Sequence, residues 1–406
     1  MIHLETPKKF AMLVDQAQQV ATQVFRPISR KYDRAEHARP KELDMLAALL
    51  DGMNASGSGE GAGAAGVRRE RAAEEGNRNG SNLSTCLGIM ELCWGDVGLL
   101  LSLPRQGLGN SAIASVANEE QLKRFAGRWA AMAITEPGCG SDSAAIRTTA
   151  VADGDHYVLN GEKIYVTSGD RADLVVVWAT LDRKLGRAAI KSFVVEKGTP
   201  GFELVRLEHK LGIRASDTAA FVLKDCRVPK ENLLGSPEVT PDKGFAGVMQ
   251  TFDNTRPLVA AMAVGLTRAC LDTTRSVLAR AGVAVDFDRP ALTQSAAAAE
   301  LMRMQADYEA ARLLTLRAAW MADNRQPNSL QASQAKAKAG RTCVDVALRC
   351  VELCGALGVV EGEREVGLLE KWARDAKILD IFEGTQQIQL LIVARRLLGK
   401  SSSELR

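Results

Sequence analysis

The sequence predicts an α+β protein that is mostly helical and has three lobes in the order helices, strands, helices. Apolar residues recur at three- and four-residue steps through long segments near both ends of the chain, which is typical of amphipathic helices. Between about residues 144 and 235, short β-branched runs split by turn residues replace that pattern. Because no helical segments separate these runs, a doubly wound parallel sheet is not expected.

Length, composition and charge set the outer bounds of the prediction. The 406 residues suggest two or three domains of about 150 residues each, and a hydrophobic share of 46% supports a large core. The net charge of +3 is spread along the chain without a Lys/Arg run, so no nucleic-acid partner is expected. The eight cysteines form no CxxC pair, so we expect buried thiols in a reducing compartment and no metal site.

Neither a signal peptide nor a membrane-spanning helix is expected. The first residues, "MIHLETPKKF", lack a basic segment followed by an apolar one. Apolar runs such as "VGLLLSLP" are far shorter than the roughly 20 residues that cross a bilayer. These features favour a cytoplasmic protein.

The N-terminal domain is expected to span residues 1–130 and to be helical. The glycine-rich stretch "DGMNASGSGEGAGAAG", residues 51–66, predicts a flexible loop within it. Helical periodicity resumes near Leu83, with breaks expected at Pro104 and at Gly107–Gly109.

A central β domain is expected at residues 131–240, followed by a C-terminal helical domain at residues 241–406. In the first, "GDHYVLNGEKIYVTSG" alternates, carries an Asn160-Gly161 turn signal, and places Tyr165 and Thr167 on one face of a strand. The second contains three long amphipathic segments, each long enough to cross a domain, which suggests an antiparallel bundle.

The stretch "MAITEPGCGSD", Met132 to Asp142, lies where the first helical lobe meets the β domain. Two glycines and a proline predict a tight loop whose backbone N–H groups can face a ligand, and Thr135 and Ser141 add hydroxyls. The loop is not a GxGxxG motif, so the dinucleotide fingerprint is absent. An ordinary interdomain turn is the alternative interpretation.

The stretch "FDNTRP" places Asp253 and Arg256 three residues apart on a predicted helix. That spacing usually indicates a solvated ion pair. A buried Arg256 would instead suit an anionic or carbonyl-bearing ligand.

The stretch "IFEGTQQIQ" sets one acid, Glu383, among apolar residues near the C-terminus. Thr385 is a plausible N-cap for the helix that follows. An acid just before a helix often only complements the helix dipole. The apolar neighbours favour a second interpretation, a partly desolvated carboxylate whose raised pKa would suit a general base.

Taken together, these segments resemble the acyl-CoA dehydrogenase family. The matching stretches are "ITEPGCGSD", "GEKIYVTSG", "KLGIRASDT", "CRVPKENLLG", "FDNTRP" and "RDAKILDIFEGTQQIQLLIVAR". They occur in the order and at the spacings of the family and cover most of residues 120–398, whereas the first 80 residues match only loosely.

The resemblance implies an N-terminal helical lobe, a central β-barrel-like lobe and a C-terminal four-helix bundle. It also implies an FAD held between the β lobe and the C-terminal helices, with an acyl-CoA thioester against its ring. A carboxylate would remove the α proton while the β hydride passes to flavin N5, so that the protein supplies orientation and the base.

The same resemblance assigns roles to individual residues. Glu383 matches the catalytic base, and Thr255 occupies the other position at which family members carry it. Flavin contacts are expected from Met132, Ile134, Thr135, Ser141, Tyr165, Thr167, Thr385 and Gln387. Substrate contacts are expected from Ser141, Asp253, Arg256 and Gly384.

Two features of the family are missing from the half of the flavin site that one subunit lends to its neighbour. An Arg that would grip the flavin pyrophosphate is replaced by Ala284, and Asp288 follows the nearby phenylalanine. A Gln-x-x-Gly-Gly motif appears as "ELCGALG", in which Glu352 and Ala356 replace Gln and Gly. Both changes put an acid where a phosphate or adenine would bind.

Two assemblies are compatible with these changes. In an α2β2 heterotetramer a related subunit would supply the missing groups, and in a homotetramer Arg280 or Arg289 could replace them. The leading functional prediction is a bacterial dehydrogenase that passes electrons to an acceptor such as an electron-transfer flavoprotein. Acyl-CoA oxidase, a flavin monooxygenase-like enzyme and a non-catalytic partner subunit remain alternatives.

Overall fold

The computed structural model describes residues 6–55, 78–104, 108–239, 246–362, 365–401 and 404, and omits the side chains of residues 49–55 and 246–254. Helices, strands and helices follow one another along the chain, as the sequence predicts. All eight cysteines are free, and seven are buried. No helix in the described part of the chain has the length and apolar character needed to cross a bilayer.

Seven α-helices lie in the described part of the N-terminal lobe. Their bounds are α1 (Ala11–Val20), α2 (Arg26–Arg34), α3 (Glu42–Ala55), α4 (Ser81–Gly95), α5 (Val97–Leu100), α6 (Leu108–Val116) and α7 (Glu119–Arg124). A π-helical turn, Ala21–Phe25, joins α1 to α2. Helix α1 packs on α4, and α4 packs on the long helix Ala246–Arg280 of the C-terminal lobe.

Two details of the predicted N-terminal lobe are wrong. The loop predicted at 51–66 begins later, because α3 continues to Ala55; residues 56–66 lie outside the described residues. Alanine and methionine favour helix there, and one glycine costs only about 1 kcal/mol. Gly109 lies inside α6 and is not a break. A Cβ there would lie 2.3 Å from the Ala131 carbonyl oxygen, so the glycine permits a close approach to the sheet.

Seven strands form the central sheet. Their bounds are β1 (Ala130–Ala133), β2 (Thr149–Asp153), β3 (His156–Thr167), β4 (Leu174–Thr180), β5 (Ile190–Glu196), β6 (Phe202–Leu207) and β7 (Thr218–Pro229). The order is β1-β4-β2-β3-β7-β6, with β5 on β4, and only β1 and β2 run parallel to β4. The expectation that the sheet is not doubly wound is therefore confirmed.

The Asn160-Gly161 turn prediction is wrong, because β3 runs straight through this dipeptide. The hairpin turn falls earlier, where Asp153 pairs with His156. Gly161 instead accommodates a β-bulge, and a Cβ there would lie 2.4 Å from Thr148 Oγ1. A second bulge follows between Lys163 and Val166, and it breaks the regular alternation that the sequence suggested for this strand.

The C-terminal lobe is a helical bundle, as expected. Its helices are α8 (Ala246–Arg280), α9 (Ala296–Asp323), α10 (Ser329–Cys354), α11 (Ala356–Val359), α12 (Leu369–Leu379) and α13 (Gln386–Leu398). The long helices α8, α9 and α10 match the three predicted amphipathic segments. Both α12 and α13 pack on α10, so the connection between them lies over the buried face of α10.

A buried ionic cluster joins the three lobes. Lys371 on α12 donates to Asp96 at 2.7 Å and to Asp375 at 2.5 Å, and all three side chains are at most 1% exposed. Asp375 also accepts from the backbone N–H of Ile213, in the β6–β7 connection, at 2.5 Å. The β domain is thereby fixed to α12, the helix that leads directly to Glu383.

Candidate active site

Glu383 lies in a strained turn between α12 and α13. Glu383 has φ +57° and Gly384 has φ +88°, so two consecutive residues adopt the left-handed region. For a residue with a Cβ this conformation costs about 1–3 kcal/mol and is concentrated at functional sites. The turn ends at Thr385, whose Oγ1 accepts from the backbone N–H of Ile388, so the predicted N-cap is confirmed.

Two fully buried side chains hold this turn from below. Gln389 Nε2 donates to the carbonyl oxygens of Glu383 at 3.0 Å and of Gly384 at 3.1 Å. Lys336 Nζ donates to the Gly384 carbonyl at 2.7 Å. A Cβ at position 384 would lie 2.5 Å from Gln389 Nε2 and would have to adopt φ +88°, so both the amide and the backbone favour glycine here.

The Glu383 carboxylate is directed at α8. Thr255 Oγ1 donates to Glu383 Oε2 at 2.8 Å. Burial raises the pKa of Glu383, while Thr255, Arg256 and Lys336 lower it, and the balance is a raised pKa. The carboxylate is therefore partly desolvated, as the interpretation of Glu383 as a general base requires. The N-terminus of α13 is capped by Thr385 and not by Glu383.

Arg256 is buried on α8, with 3% of its surface exposed. The solvated ion pair suggested by the Asp253–Arg256 spacing is therefore wrong for Arg256. The side chain of Asp253, for which a substrate contact was expected, lies outside the described residues. The alternative interpretation was a site for an anionic or carbonyl-bearing ligand. It requires a buried guanidinium, and Arg256 supplies one beside the Glu383 carboxylate.

The loop from Met132 to Asp142 is built around one buried acid. Glu136 accepts from Lys163 Nζ at 2.7 Å, from the backbone N–H of Arg147 at 2.6 Å, and from both the backbone N–H and the hydroxyl of Thr148. Glu136 is 6% exposed and Lys163 is fully buried. These bonds make the loop a fixed part of the β domain, unlike a simple interdomain turn.

The expected flavin residues of the β domain share one region around this loop. The Ile164 N–H donates to the Thr135 carbonyl at 2.9 Å, which joins the loop to β3 beside Tyr165. Met132 and Ile134 are partly buried against Trp178 and its neighbours. The remaining positions are Ser141 (exposed), Tyr165 (63% exposed, φ +57°) and Thr167 (partly buried).

The remaining predicted residues lie at the bundle end of the site. Gly384 and Thr385 are partly buried in the turn described above, and Gln387 is exposed on the first turn of α13. The two groups are linked through β7 and the β6–β7 connection: Thr167 pairs with Thr218 in the sheet, and the connection just before β7 is bound to α12.

The residues around the two groups fit a flat cofactor with polar edges. Gly138 is exposed in the loop, and a Cβ there would meet nothing within 4 Å. Among the described residues, the buried Trp178 Nε1 and Gln386 Oε1 have no hydrogen-bond partner. Tyr165 adds an aromatic ring left exposed by the bulge. A ring system with donors and acceptors at its rim would use these features.

Comparison with known proteins identifies the class. Residues 131–226 match the family described as acyl-CoA dehydrogenase, middle domain, and residues 242–398 match acyl-CoA dehydrogenase, C-terminal domain. The chain is 33% identical to the mitochondrial short-chain specific acyl-CoA dehydrogenase of Bos taurus over 396 residues, 97% of this chain and 91% of the relative.

Two further relatives agree with that result. The short-chain specific acyl-CoA dehydrogenase of Clostridium acetobutylicum is 34% identical over 332 residues, 80% of this chain and 84% of the relative. The solved structure of butyryl-CoA dehydrogenase from Megasphaera elsdenii superposes with a TM-score of 0.82 at 28% identity, covering 98% of this chain and all of the other. The chain therefore belongs to the acyl-CoA dehydrogenase family, a class of oxidoreductases that act on acyl-CoA and use a flavin.

Four residues that shape the site were not anticipated from the sequence. They are Glu136, Lys163, Lys336 and Gln389. Lys336 had a readable signal: it lies four residues from Ala332 and from Gly340 in "ASQAKAKAG", on the face that α10 buries. A lysine on the apolar face of a helix is costly to bury unless an acceptor bonds its ammonium group, so this position predicts a buried acceptor nearby.

Proposed function

We propose that this chain is an FAD-dependent acyl-CoA dehydrogenase in which Glu383 removes the α proton of the acyl thioester. The observation that supports this most directly is the Glu383 carboxylate itself. It is partly desolvated, has a raised pKa, and is held in a strained turn at the start of α13. A carboxylate of raised pKa is a stronger base than an ordinary glutamate.

The FAD would be held by Met132, Ile134, Thr135, Ser141, Tyr165, Thr167, Thr385 and Gln387. When bound, it would accept the β hydride of the acyl chain. The chain's own contribution is to orient the thioester, to exclude water and to hold the proton taken from Cα on the Glu383 carboxylate. The loss of one proton and one hydride leaves the α,β-unsaturated thioester.

Groups next to Glu383 are suited to stabilise charge on the substrate. Removing the α proton moves negative charge onto the thioester oxygen, and a backbone N–H of the Glu383–Gly384 turn can donate to that oxygen. Arg256 places a buried positive charge beside the same turn. Ser141 and Asp253 complete the proposed substrate contacts.

The proposed substrate class is a short-chain acyl-CoA, because both curated relatives compared above are named short-chain specific. The electrons would leave the reduced enzyme for an acceptor such as an electron-transfer flavoprotein. Oxidase and monooxygenase activities would instead reduce oxygen, so slow reoxidation of the substrate-reduced enzyme in air supports the dehydrogenase.

We propose further that a related, unlike subunit completes the flavin site. Glu352 lies where the family has Gln; its carboxylate pairs with Arg349 at 2.5 Å, and Arg349 also contacts Glu300 at 3.0 Å. The local cation is thus shared between two acids of this chain, which leaves less positive charge for a neighbour's pyrophosphate.

The test of the base is Glu383→Gln, which keeps size and polarity but cannot accept the proton. We expect turnover of short-chain acyl-CoA to fall by about 100- to 10,000-fold, with flavin content unchanged. Glu231→Gln, an exposed ion-pair partner of Arg124, is the control and should behave as wild type. Anaerobic bleaching of the flavin absorbance measures the reaction, and wild-type bleaching in the Glu383 variant would refute the assignment.

A further inference from the structure

Lys336 is a charged side chain on the buried, apolar face of α10, where the pattern of that helix does not account for a charge. It is fully buried on α10, between Ala332 and Gly340 on the face that packs against α12. Burying an ammonium group is costly unless it is bonded to an acceptor. Lys336 Nζ instead donates to a neutral acceptor, the Gly384 carbonyl, at 2.7 Å.

Of the two carboxylates near Lys336 in the α12–α13 connection, Asp380 and Glu383, the first is paired with other cations. Asp380 is bridged by Arg341 and by Lys377, each at 3.3 Å. Burial lowers the pKa of Lys336 to about 8, although the negative charges of Asp380 and Glu383 raise it and Arg256 lowers it further. Lys336 is thus still mostly charged at neutral pH, and its ammonium group points at the turn that carries the base.

The bond fixes the direction of a peptide group. The carbonyl and N–H of a trans peptide point in opposite directions. Because Lys336 on α10 and Gln389 on α13 both donate to the Gly384 carbonyl, the Thr385 N–H of the same peptide faces away from them. The backbone of Glu383 and Gly384, the two left-handed residues, is therefore held in one orientation, and this orients the Glu383 side chain.

The charge of Lys336 acts on the same carboxylate. Three groups oppose the effect of burial on Glu383: the Thr255 hydroxyl and the charges of Arg256 and Lys336. Thr255 and Arg256 approach from α8, and Lys336 approaches from α10. Asp380, which also faces Lys336, is neutralised by Arg341 and Lys377 as described above.

We propose that Lys336 is a positioning residue for α-proton removal: it anchors the Gly384 carbonyl, orients Glu383, and supplies a positive charge that favours the ionised carboxylate. This inference rests on the proposed function of Glu383. It assigns to one lysine both the geometry and part of the electrostatics of the base.

Two substitutions separate the bond from the charge. Lys336→Met removes both, whereas Lys336→Gln removes the charge and keeps an N–H donor. Lys338→Met is the matched control: it lies on the same helix, is partly exposed, and pairs with Asp307 at 2.5 Å. Each variant is compared with wild type for kcat and KM across pH, and for exchange of the substrate α proton in D2O by NMR.

We expect Lys336→Met to lower kcat by about 10- to 100-fold, because small misplacements of a catalytic group have effects of that size, with KM little changed. The acidic limb of the kcat profile should move up by about one pH unit, since a nearby cation shifts a carboxylate by at least that much. Lys336→Gln should recover part of kcat but keep the displaced limb. Lys338→Met should match wild type in both.

A second readout needs no substrate. The difference in melting temperature between a protein with Glu383 and its Glu383→Gln counterpart changes with pH as Glu383 ionises. In the Lys336→Gln background that change should move to higher pH. If wild type shows no turnover, the proposed function fails, yet this measurement still decides whether Lys336 acts on Glu383.

Several outcomes would overturn the inference. An unshifted acidic limb and an unshifted melting profile in Lys336→Gln would make the lysine purely structural. Equal effects of Lys336→Met and Lys338→Met would do the same. If neither Lys336 variant folds, as judged by circular dichroism, the lysine is required for the fold and its assignment as a positioning residue is withdrawn.

Discussion

The hydroxyl of Thr255, on α8, donates a hydrogen bond of 2.8 Å to the carboxylate of Glu383, 128 residues later in the chain. These are the two positions at which the resemblance to the family places a catalytic base. In this fold they meet in space, so either could deliver a carboxylate to the same location. Here the α8 position is Thr255, which donates a hydrogen bond, and Glu383, just before α13, is the acid that accepts it.

Thr255→Val should shift the pH dependence of turnover. Without the hydroxyl, the ionised form of Glu383 loses a bond to a charged group worth about 1.5–3 kcal/mol, and 1.36 kcal/mol corresponds to one pKa unit. The pKa of Glu383 should rise, and the acidic limb of kcat should move up by about one pH unit. Thr267→Val is the control, because Thr267 is also buried on α8 but bonds the Ala263 carbonyl. Coincident profiles for the two variants would contradict the prediction.

Glu383→Gln should stabilise the fold at neutral pH. Burial raises the pKa of Glu383 in the folded state above its unfolded value. The stability contributed by this group is therefore complete below the unfolded pKa and is lost as pH rises through the folded pKa. Glutamine stays neutral, so the variant should melt higher than wild type near pH 8 and alike near about pH 4. A wild type that melts higher at neutral pH would show that the carboxylate is not desolvated.

The elements with long periodicity or strong end signals could be predicted from the sequence. The three long C-terminal helices and the Thr385 N-cap follow from apolar spacing and from a hydroxyl placed before a helical run. The turn predicted at Asn160-Gly161 was wrong, because a glycine that permits a β-bulge and a glycine that makes a turn occur in similar local sequences.

The partners of the site residues could not be predicted, since each depends on packing between distant segments. Glu383 and Lys336 are 47 residues apart, and nothing local in either stretch specifies that α10 lies under the α12–α13 turn. The pair of Glu136 and Lys163 likewise forms only when the loop after β1 folds against β3. Periodicity identified the buried faces, but tertiary packing decided which charged groups met there.

Gly138→Val should reduce flavin binding without harming the fold. A Cβ at this position would meet no atom of the chain within 4 Å, so the folded protein can accept a side chain there. Gly138 lies in the loop between Ile134 and Ser141, which we propose to hold the flavin, so a bulky side chain there should compete with the cofactor. We expect a melting temperature for the flavin-free variant within a degree or two of flavin-free wild type, and a lower ratio of flavin to protein absorbance. Wild-type flavin content would place the cofactor elsewhere.

The chain expressed alone should carry less than one flavin per subunit. Ala284 and Glu352 stand where the resemblance expects a cation and an amide for the neighbour's cofactor, and Asp288 lies close to the first of these positions in sequence. An acid in either place repels a pyrophosphate. Ala284→Arg should raise the flavin content, and co-expression with a related subunit that has the Arg should restore it fully. Full occupancy in a homotetramer of this chain would contradict the unlike pair and favour Arg280 or Arg289 as replacements.

Lys371→Met should destabilise the junction of the three lobes far more than an exposed lysine substitution would. The lysine neutralises Asp96 and Asp375, and its removal leaves two buried carboxylates without their cation. Breaking a buried pair in this way costs about 3–5 kcal/mol. Lys377→Met, on the same helix and half exposed, is the control and should change stability by less than about 1 kcal/mol.

Urea-induced unfolding followed by circular dichroism measures both Lys371→Met and its control. Because Asp375 also accepts from the Ile213 N–H of the β domain, loss of Lys371 should loosen that contact as well. Faster hydrogen exchange at Ile213 in Lys371→Met, with unchanged exchange in Lys377→Met, would show that the cluster holds the β domain on the bundle. Equal midpoints for the two variants would mean that the junction depends on apolar packing alone.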